Sequence, residues 1–290
     1  MLPRCPNPRC AAPLPIRNGT FRRLSDAKVI QRFICQGCQR HFSAATFQAA
    51  YRQNKRRANP EVEKLLCSGV SQRRIALLLR IHRIHRITVA RKLAFLAQRA
   101  EKAQAEWLKR LPKVKEVQFD DLITLEHTKC KPLALSLAVE EKTRKILGFE
   151  VSLIPASGPL AAHSRKKYGR RPNERPRGLN RLFVNIKKAL DKNVSFRSDE
   201  DPLYPVIIRR HFPRALHNRT PGGRGCVTGQ GELKKLRYDP LFSVNHTCAM
   251  LRANINRLFR RTWCTTKKAA CLRRHVAVYV QFHNTVLLKA

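Results

Sequence analysis

Apolar residues recur along this chain in two rhythms, and the change from one to the other divides it. From Asn59 a helical spacing puts Val62, Leu65 and Leu66 on one face; Ser68-Gly69-Val70-Ser71 interrupts it, and Ile75, Ala76, Leu78 and Leu79 resume it. Ser71 carries the short hydroxyl that caps a helix start, and Gly69 is a natural turn residue between two short helices. A third helix is expected from Thr88 through Arg91, Lys92 and Leu93, with helical patterning continuing through Trp107 to just before Pro112. Beyond Pro112 the period falls toward two. Val114 to Leu125, Pro132 to Val139 and Ile146 to Leu153 read as consecutive strands, the polar run from Glu140 to Lys145 turning the second into the third. A helix over Leu179 to Leu190, a strand at Val194 to Phe196 and a helix after Pro202 follow. Strands alternating with helices in this order predict an α/β fold around a mixed sheet, preceded by an all-α stretch.

The first fifty residues fit neither rhythm and are organised by cysteines. Cys5 and Cys10 enclose four residues, Cys35 and Cys38 enclose Gln-Gly, and residues 11 to 34 separate the pairs. Two close pairs across such a gap let four thiolates converge tetrahedrally on zinc, whereas the other six cysteines (67, 130, 226, 248, 264 and 271) are scattered and read as packing or surface residues. His41 is an alternative fourth ligand. A four-sulfur site leaves no open coordination position, so this zinc is expected to fold its module and do no chemistry.

Charge changes the picture most. Among 290 residues, 60 Lys and Arg face 19 Asp and Glu, a net charge of +41, so a polyanionic partner is expected and double-stranded DNA is the first candidate. No apolar run reaches the roughly 20 residues that span a bilayer, and the opening Met-Leu-Pro-Arg-Cys-Pro lacks the apolar centre of a secretory signal, so a cytoplasmic, non-membrane protein is expected. The helices on either side of Gly69, with the one beginning near Thr88, read as a helix-turn-helix in which Thr88, Arg91 and Lys92 reach base edges and phosphates. The competing assignment is a helical linker with a solvated basic face. A repeat, Arg80-Ile81-His82 then Arg83-Ile84-His85, lengthens the connection into the third helix. The stretch 156–178, with Arg165, Lys166 and Lys167 among interleaved Pro and Gly, is expected to be an irregular basic loop that phosphates order. Arg252, Arg257, Arg260, Arg261, Lys267 and Lys268 extend the basic character to the late helices.

Within so basic a chain, Asp120 at the end of a strand-patterned run and Asp199 in Phe-Arg-Ser-Asp-Glu-Asp-Pro-Leu-Tyr are candidate ligands for divalent cations. If their strands are sheet neighbours, the two carboxylates meet at one sheet end. Capping or ion pairing with the many arginines is the competing role, and Asp121, Glu200 and Asp201 are the neighbouring acids.

Phe119-Asp120-Asp121, the run from Leu137 to Phe149, Ser198-Asp199 followed by Tyr204, Asn245, the segment from Leu251 to Thr262, and Tyr279 to Asn284 together resemble the transposases of bacterial insertion sequences. The resemblance covers most of the chain, leaving 156–178 and 220–237 unassigned. It implies a zinc ribbon at 1–48, a helix-turn-helix DNA-binding module at 49–111 and an RNase H-like catalytic domain at 112–290. It also implies an enzyme that binds the ends of its own element, multimerises on them, and cuts and joins DNA in the bacterial nucleoid using Mg²⁺ or Mn²⁺ held by Asp120, Asp199 and a third ligand. The family usually has Glu at that third position. Here the matching residue is Asn245, with Lys267 as the nearest match to a downstream lysine that some members add, and Glu232 and Asp239 are the nearest carboxylates able to substitute. A neutral amide holds a cation more weakly than a carboxylate. The alternative is therefore a transposase-derived protein that binds DNA without catalysis.

Overall fold

The structure, a computed structural model, describes residues 2–23, 27–51, 53–80, 84–221, 239–259 and 264–288. It divides into two compact units, 1–57 and 58–290.

In the first unit, strands β1 (Pro15–Arg22), β2 (Val29–Cys35) and β3 (His41–Ser43) form an antiparallel sheet in chain order. Phe33 and Phe42, opposite each other on β2 and β3, stack with ring centroids 5.6 Å apart, and Phe47 meets Phe42 edge-on at 5.9 Å. The core is thin: among the described residues of this unit, Cys35 and Phe42 are the buried apolar side chains.

The second unit is built on β4 (Val114–Glu126), β5 (Thr128–Glu140) and β6 (Ile146–Leu153), an antiparallel meander of the kind the period-two patterning predicts. On the other side of β4, β7 (Leu190–Asp199) and then β8 (Leu216–Thr220) pair in parallel, giving the order β6-β5-β4-β7-β8. Eight helices among the described residues complete the unit: α1 (Asn59–Leu66), α2 (Gln72–Leu78), α3 (Arg86–Arg110), α4 (Leu160–Tyr168), α5 (Arg175–Ile186), α6 (Leu203–His211), α7 (Phe242–Asn254) and α8 (Ala269–Phe282).

Strand β5 shows how the layers are chosen. Leu133, Leu135, Leu137 and Val139 of β5 join one cluster with residues of α1, α2, α3, α7 and α8. The alternate positions Ala134, Ser136 and Ala138 are small, and Ala138 belongs to the opposite cluster with Leu182 and Phe183 of α5 and Ile207 of α6. Small residues let α5 lie close. At Gly178 a β-carbon would come 2.0 Å from Ser152 Oγ on β6, so the crossing requires glycine. Each large apolar side chain buried this way contributes about 1.5–3 kcal/mol.

Several sequence expectations shift. The 49–111 stretch does not stand apart from the sheet: Val62, Leu66, Ile75, Val89, Leu93 and Leu96 share the first cluster with β5. The turn between α1 and α2 is tied down as well, Gly69 N–H donating to the Asn254 carbonyl (2.7 Å) and Asn256 Nδ2 to the Gly69 carbonyl (3.1 Å). Helices of eight and seven residues cannot bury an apolar face against one another alone, so they borrow the core of the sheet. Ser71 caps α2 as expected, its hydroxyl accepting from Arg74 N–H, but Leu78 is 60% exposed and the inward positions are Ile75 and Leu79. The third helix and the helix through Trp107 are one continuous α3, starting at Arg86 with the His85 ring accepting the Ile87 N–H.

The 156–178 stretch is not an irregular loop. It contains α4 and the first turn of α5: Gly169, at φ +73°, ends the former, and Pro176 occupies the first turn of the latter, where no hydrogen bond is lost. Pro and Gly thus mark helix boundaries instead of preventing helices. β8 gave no sequence signal, since Leu-His-Asn-Arg-Thr is a mostly polar edge strand. No helix among the described residues is long and apolar enough to cross a membrane.

Candidate functional site

The four cysteines converge. Cys5 and Cys38 sulfurs lie 3.5 Å apart, Cys10 and Cys35 sulfurs 3.7 Å, and all four lie within 4.8 Å of one another. Tetrahedral zinc with 2.3 Å bonds holds its sulfurs about 3.8 Å apart, so the donor set fits that ion. Local folding brings them there: Cys35 ends β2, and the turn to Cys38 passes under Ala12 so closely that a β-carbon on Gly37 would sit 1.9 Å from the Ala12 carbonyl oxygen. The thiols are electrostatically divided. Burial and the neighbouring thiols push Cys10 up to about 12; at Cys35 the effect of burial is overcome by backbone hydrogen bonds at Cys38 and Leu14 and by Cys5 and Cys10, bringing it down to about 6. These four residues could hold a metal ion such as zinc.

In the second unit, β4 and β7 are parallel neighbours. Their register pairs Val117 with Phe196 and Gln118 with Arg197, so Asp120 and Asp199 lie two residues further on, at matching positions on adjacent strands. Burial, and then the charges of Asp199 and Asp121, raise Asp120 from the usual 3.8 to about 7. Asp199 is raised too, by burial and by the charge of Asp201. Each carboxylate accepts one backbone N–H: Asp120 Oδ1 from Asp121 (2.7 Å) and Asp199 Oδ1 from Asp201 (3.2 Å). A crowded carboxylate pair of this kind favours a divalent cation over two protons.

The same face of β4 meets the start of α7. The Gln118 side chain donates to the Pro240 carbonyl (3.1 Å) and accepts the Val244 N–H (3.1 Å). One turn after Asn245, burial and then the charge of Asp120 push the Cys248 thiol up to about 12. Asn245 therefore lies in the first turn of a helix that packs over the Asp120 face. Its amide nitrogen is committed, donating to both oxygens of Asp239 (3.0 and 3.3 Å), and Asp239 Oδ1 also accepts the Leu241 N–H (3.0 Å). Glu232 lies outside the described residues.

The remaining candidates separate. Lys267 is exposed beside Thr266, which bridges Glu126 at the far end of β4; six residues from Asp120 is about 20 Å of strand, so Lys267 is not part of the carboxylate site. Lys92 is not a DNA contact: it is 1% exposed, its amine donates to Asn59 Oδ1 at 2.6 Å, and burial lowers its pKa. The spacing to Val89, Leu93 and Leu96 was the signal, since all four lie on the inward face of α3. Arg257 is likewise turned inward, donating to His275 Nδ1 (3.3 Å) while His275 Nε2 bonds the Leu66 carbonyl (2.8 Å). Thr88 and Arg252 are partly exposed, and Arg91, Arg165, Lys166, Lys167 and Lys268 are exposed, the three at 165–167 forming the last turn of α4. Arg260 and Arg261 lie outside the described residues.

Sequence reasoning assigned Arg175 to the phosphate-binding run and missed its position here. Its Nε is paired with Asp121 Oδ2 and its Nη1 lies 2.8 Å from Asp201 Oδ2. No family model matches the chain, and no curated protein matches it.

Proposed function

We propose that the chain is a DNA transposase that binds the ends of its own insertion element and performs metal-dependent cleavage and strand transfer. The observation that carries this reading is the placement of Asp120 and Asp199 at matching positions on adjacent parallel strands, with Asp120 raised to about 7, in a chain of net charge +41. The sheet adds support: a three-stranded meander whose first strand pairs in parallel with β7, which in turn pairs in parallel with β8, has the order expected of an RNase H-like domain.

Asp120 and Asp199, with Asn245 or Asp239, would hold Mg²⁺ or Mn²⁺. Bound there, the cations would activate water or a 3′-hydroxyl and stabilise the departing oxygen, with no covalent intermediate on the protein. The chain's own contributions are distinct from this. Arg91 and Thr88 on α3 would read the element ends, and Arg165, Lys166 and Lys167 on α4 would take phosphates and set the salt dependence of binding. The cysteine cluster would hold a structural zinc and stabilise a ribbon that does no chemistry. Copies of the chain would assemble as a multimer on paired ends, in the cytoplasm where the element resides.

The second reading, a DNA-binding protein without catalysis, draws on one observation: the residue at the usual third carboxylate position is a neutral amide already bonded to Asp239. Incubating the full chain with DNA carrying the element ends and millimolar Mg²⁺ or Mn²⁺ separates the two. Joined products favour the transposase; specific end binding with neither nicking nor joining in either metal favours the alternative.

The same assay assigns the third ligand. If the Asn245 carbonyl is the group used, Asn245→Ala should raise the Mg²⁺ requirement about tenfold and Asn245→Glu should lower it. Asp239→Ala should then act only through the lost hydrogen bond, with a smaller shift. Asp239→Ala abolishing joining while Asn245→Ala behaves as wild type would transfer the role to Asp239.

A further inference from the structure

We propose that Arg175 is a positioning residue that ties β4 to β7 just past the end of their shared ladder and so fixes the backbone donors aimed at Asp120 and Asp199; the inference rests on the reading of those two residues as metal ligands.

The ladder between the two strands does not reach the carboxylates. Its last paired residues are Gln118 and Arg197, two positions short of Asp120 and Asp199, and β7 is carried to Asp199 only by pairing with β8 on its other side. Past that point β4 is held by β5 and β7 by β8, but no ladder bond ties β4 to β7, and a metal site tolerates little drift between its two sides. Arg175 closes the gap. One end of its guanidinium fork grips Asp121, the residue after Asp120, and the other grips Asp201, two residues after Asp199.

Those two partners are also the backbone donors to the candidate ligands. Asp121 N–H bonds Asp120 Oδ1 and Asp201 N–H bonds Asp199 Oδ1. A single side chain thus holds, on both strands, the residue whose N–H orients the neighbouring carboxylate. The arginine is itself held: its guanidinium lies 5.1 Å from the centre of the Tyr204 ring, and Tyr204 is buried against Phe119 of β4 with ring centroids 4.7 Å apart.

Two features argue against a phosphate-binding role. Arg175 is 19% exposed with both sides of its fork engaged, and it is the first residue of α5, where the helix dipole disfavours a cation unless carboxylates compensate. The geometry also specifies arginine. A lysine keeps the charge but is a point donor on a flexible stem that cannot span both carboxylates in a fixed fork.

The test uses the full chain with Arg175→Lys, and Asp201→Asn as a milder variant that loosens one arm at a partly exposed position. Two measurements are made, hydrogen exchange without divalent ions and Mn²⁺ binding followed by electron paramagnetic resonance. In Arg175→Lys, exchange at Asp121 and Asp201 should accelerate about tenfold while the α3 and β5 amides keep their protection. Mn²⁺ affinity should fall about tenfold although the charge is retained, with Asp201→Asn falling by less. Wild-type exchange at both amides in Arg175→Lys overturns the proposal. So does global loss of protection in Arg175→Lys combined with unchanged local exchange and Mn²⁺ affinity in Asp201→Asn. Wild-type protein whose Mn²⁺ binding is indifferent to Asp120→Asn would instead remove the metal-ligand reading, leaving the clamp to stand or fall on exchange alone.

Discussion

Asp120→Asn is expected to make the protein more stable at pH 8 in Mg²⁺-free buffer and, at the same time, to abolish DNA cleavage and joining. Asp120 is raised from 3.8 to about 7 by burial and by the charges of Asp199 and Asp121. A carboxyl raised in the folded state binds its proton more tightly there than in the unfolded chain. Its contribution is therefore fully present below about pH 4, is lost as pH rises through about 7, and stays lost above that. Linkage puts the loss at about 4 kcal/mol, which partial solvent exposure screens to about 1–2 kcal/mol. Asparagine cannot ionise and so avoids the loss, while its carbonyl still accepts the Asp121 N–H. Thermal melts at pH 4 and pH 8 should show the two proteins nearly alike at the lower pH and the variant several degrees higher at the upper, with the gap opening progressively between them. Millimolar Mg²⁺ should raise the wild type and leave the variant unmoved. A variant that is no more stable at pH 8, or one that still joins DNA, removes Asp120 from the site.

The second large effect concerns the cysteines. Cys35→Ser should unfold the first unit while leaving residues 58–290 folded. The described part of that unit buries two apolar side chains, Cys35 and Phe42, which is far too little to offset the ordering of some fifty residues. Metal coordination, with about 10 kcal/mol or more of binding free energy in small zinc modules, supplies what the core lacks. The prediction is one equivalent of zinc in the purified wild type, none in Cys35→Ser, and tryptic cleavage confined to the arginines and lysines before Ala58. Protein that arrives without zinc yet resists trypsin at Arg17, Arg22 and Arg32 would show that the four sulfurs meet for another reason.

The two effects differ in origin, and so does their visibility in the sequence. Cysteine spacing is local information: two pairs with a glycine in the tight turn are enough to place four sulfurs together, because few backbone paths connect them otherwise. The carboxylate site draws on elements far apart in the chain. Asp120 and Asp199 are 79 positions apart (199 − 120), and their meeting depends on β7 choosing the free edge of β4 over the edge of β6. The Asn245 amide finds Asp239 six residues away, but its relation to Asp120 runs through Gln118, which lies more than 120 residues upstream of the α7 backbone it bonds.

Features that near neighbours control were legible in the chain alone. The meander β4–β5–β6 follows from alternating apolar residues, the α2 cap from Ser71, and the convergent thiols from cysteine spacing. Folding of the whole chain settled which face of an element is inward, and hence that Lys92 is buried and Arg257 turned inward to His275 while Arg91 is exposed. It settled that Pro and Gly in 156–178 bound two helices, that α1 to α3 share the core of the sheet, and that Lys267 lies a strand-length from Asp120. It also gave Arg175 its carboxylates. The physical reason is that periodicity and capping involve interactions within a few residues, whose energies each segment realises alone. Strand neighbours, buried charges and helix packing are set by the whole chain's need to bury apolar surface and pair every buried polar group at once.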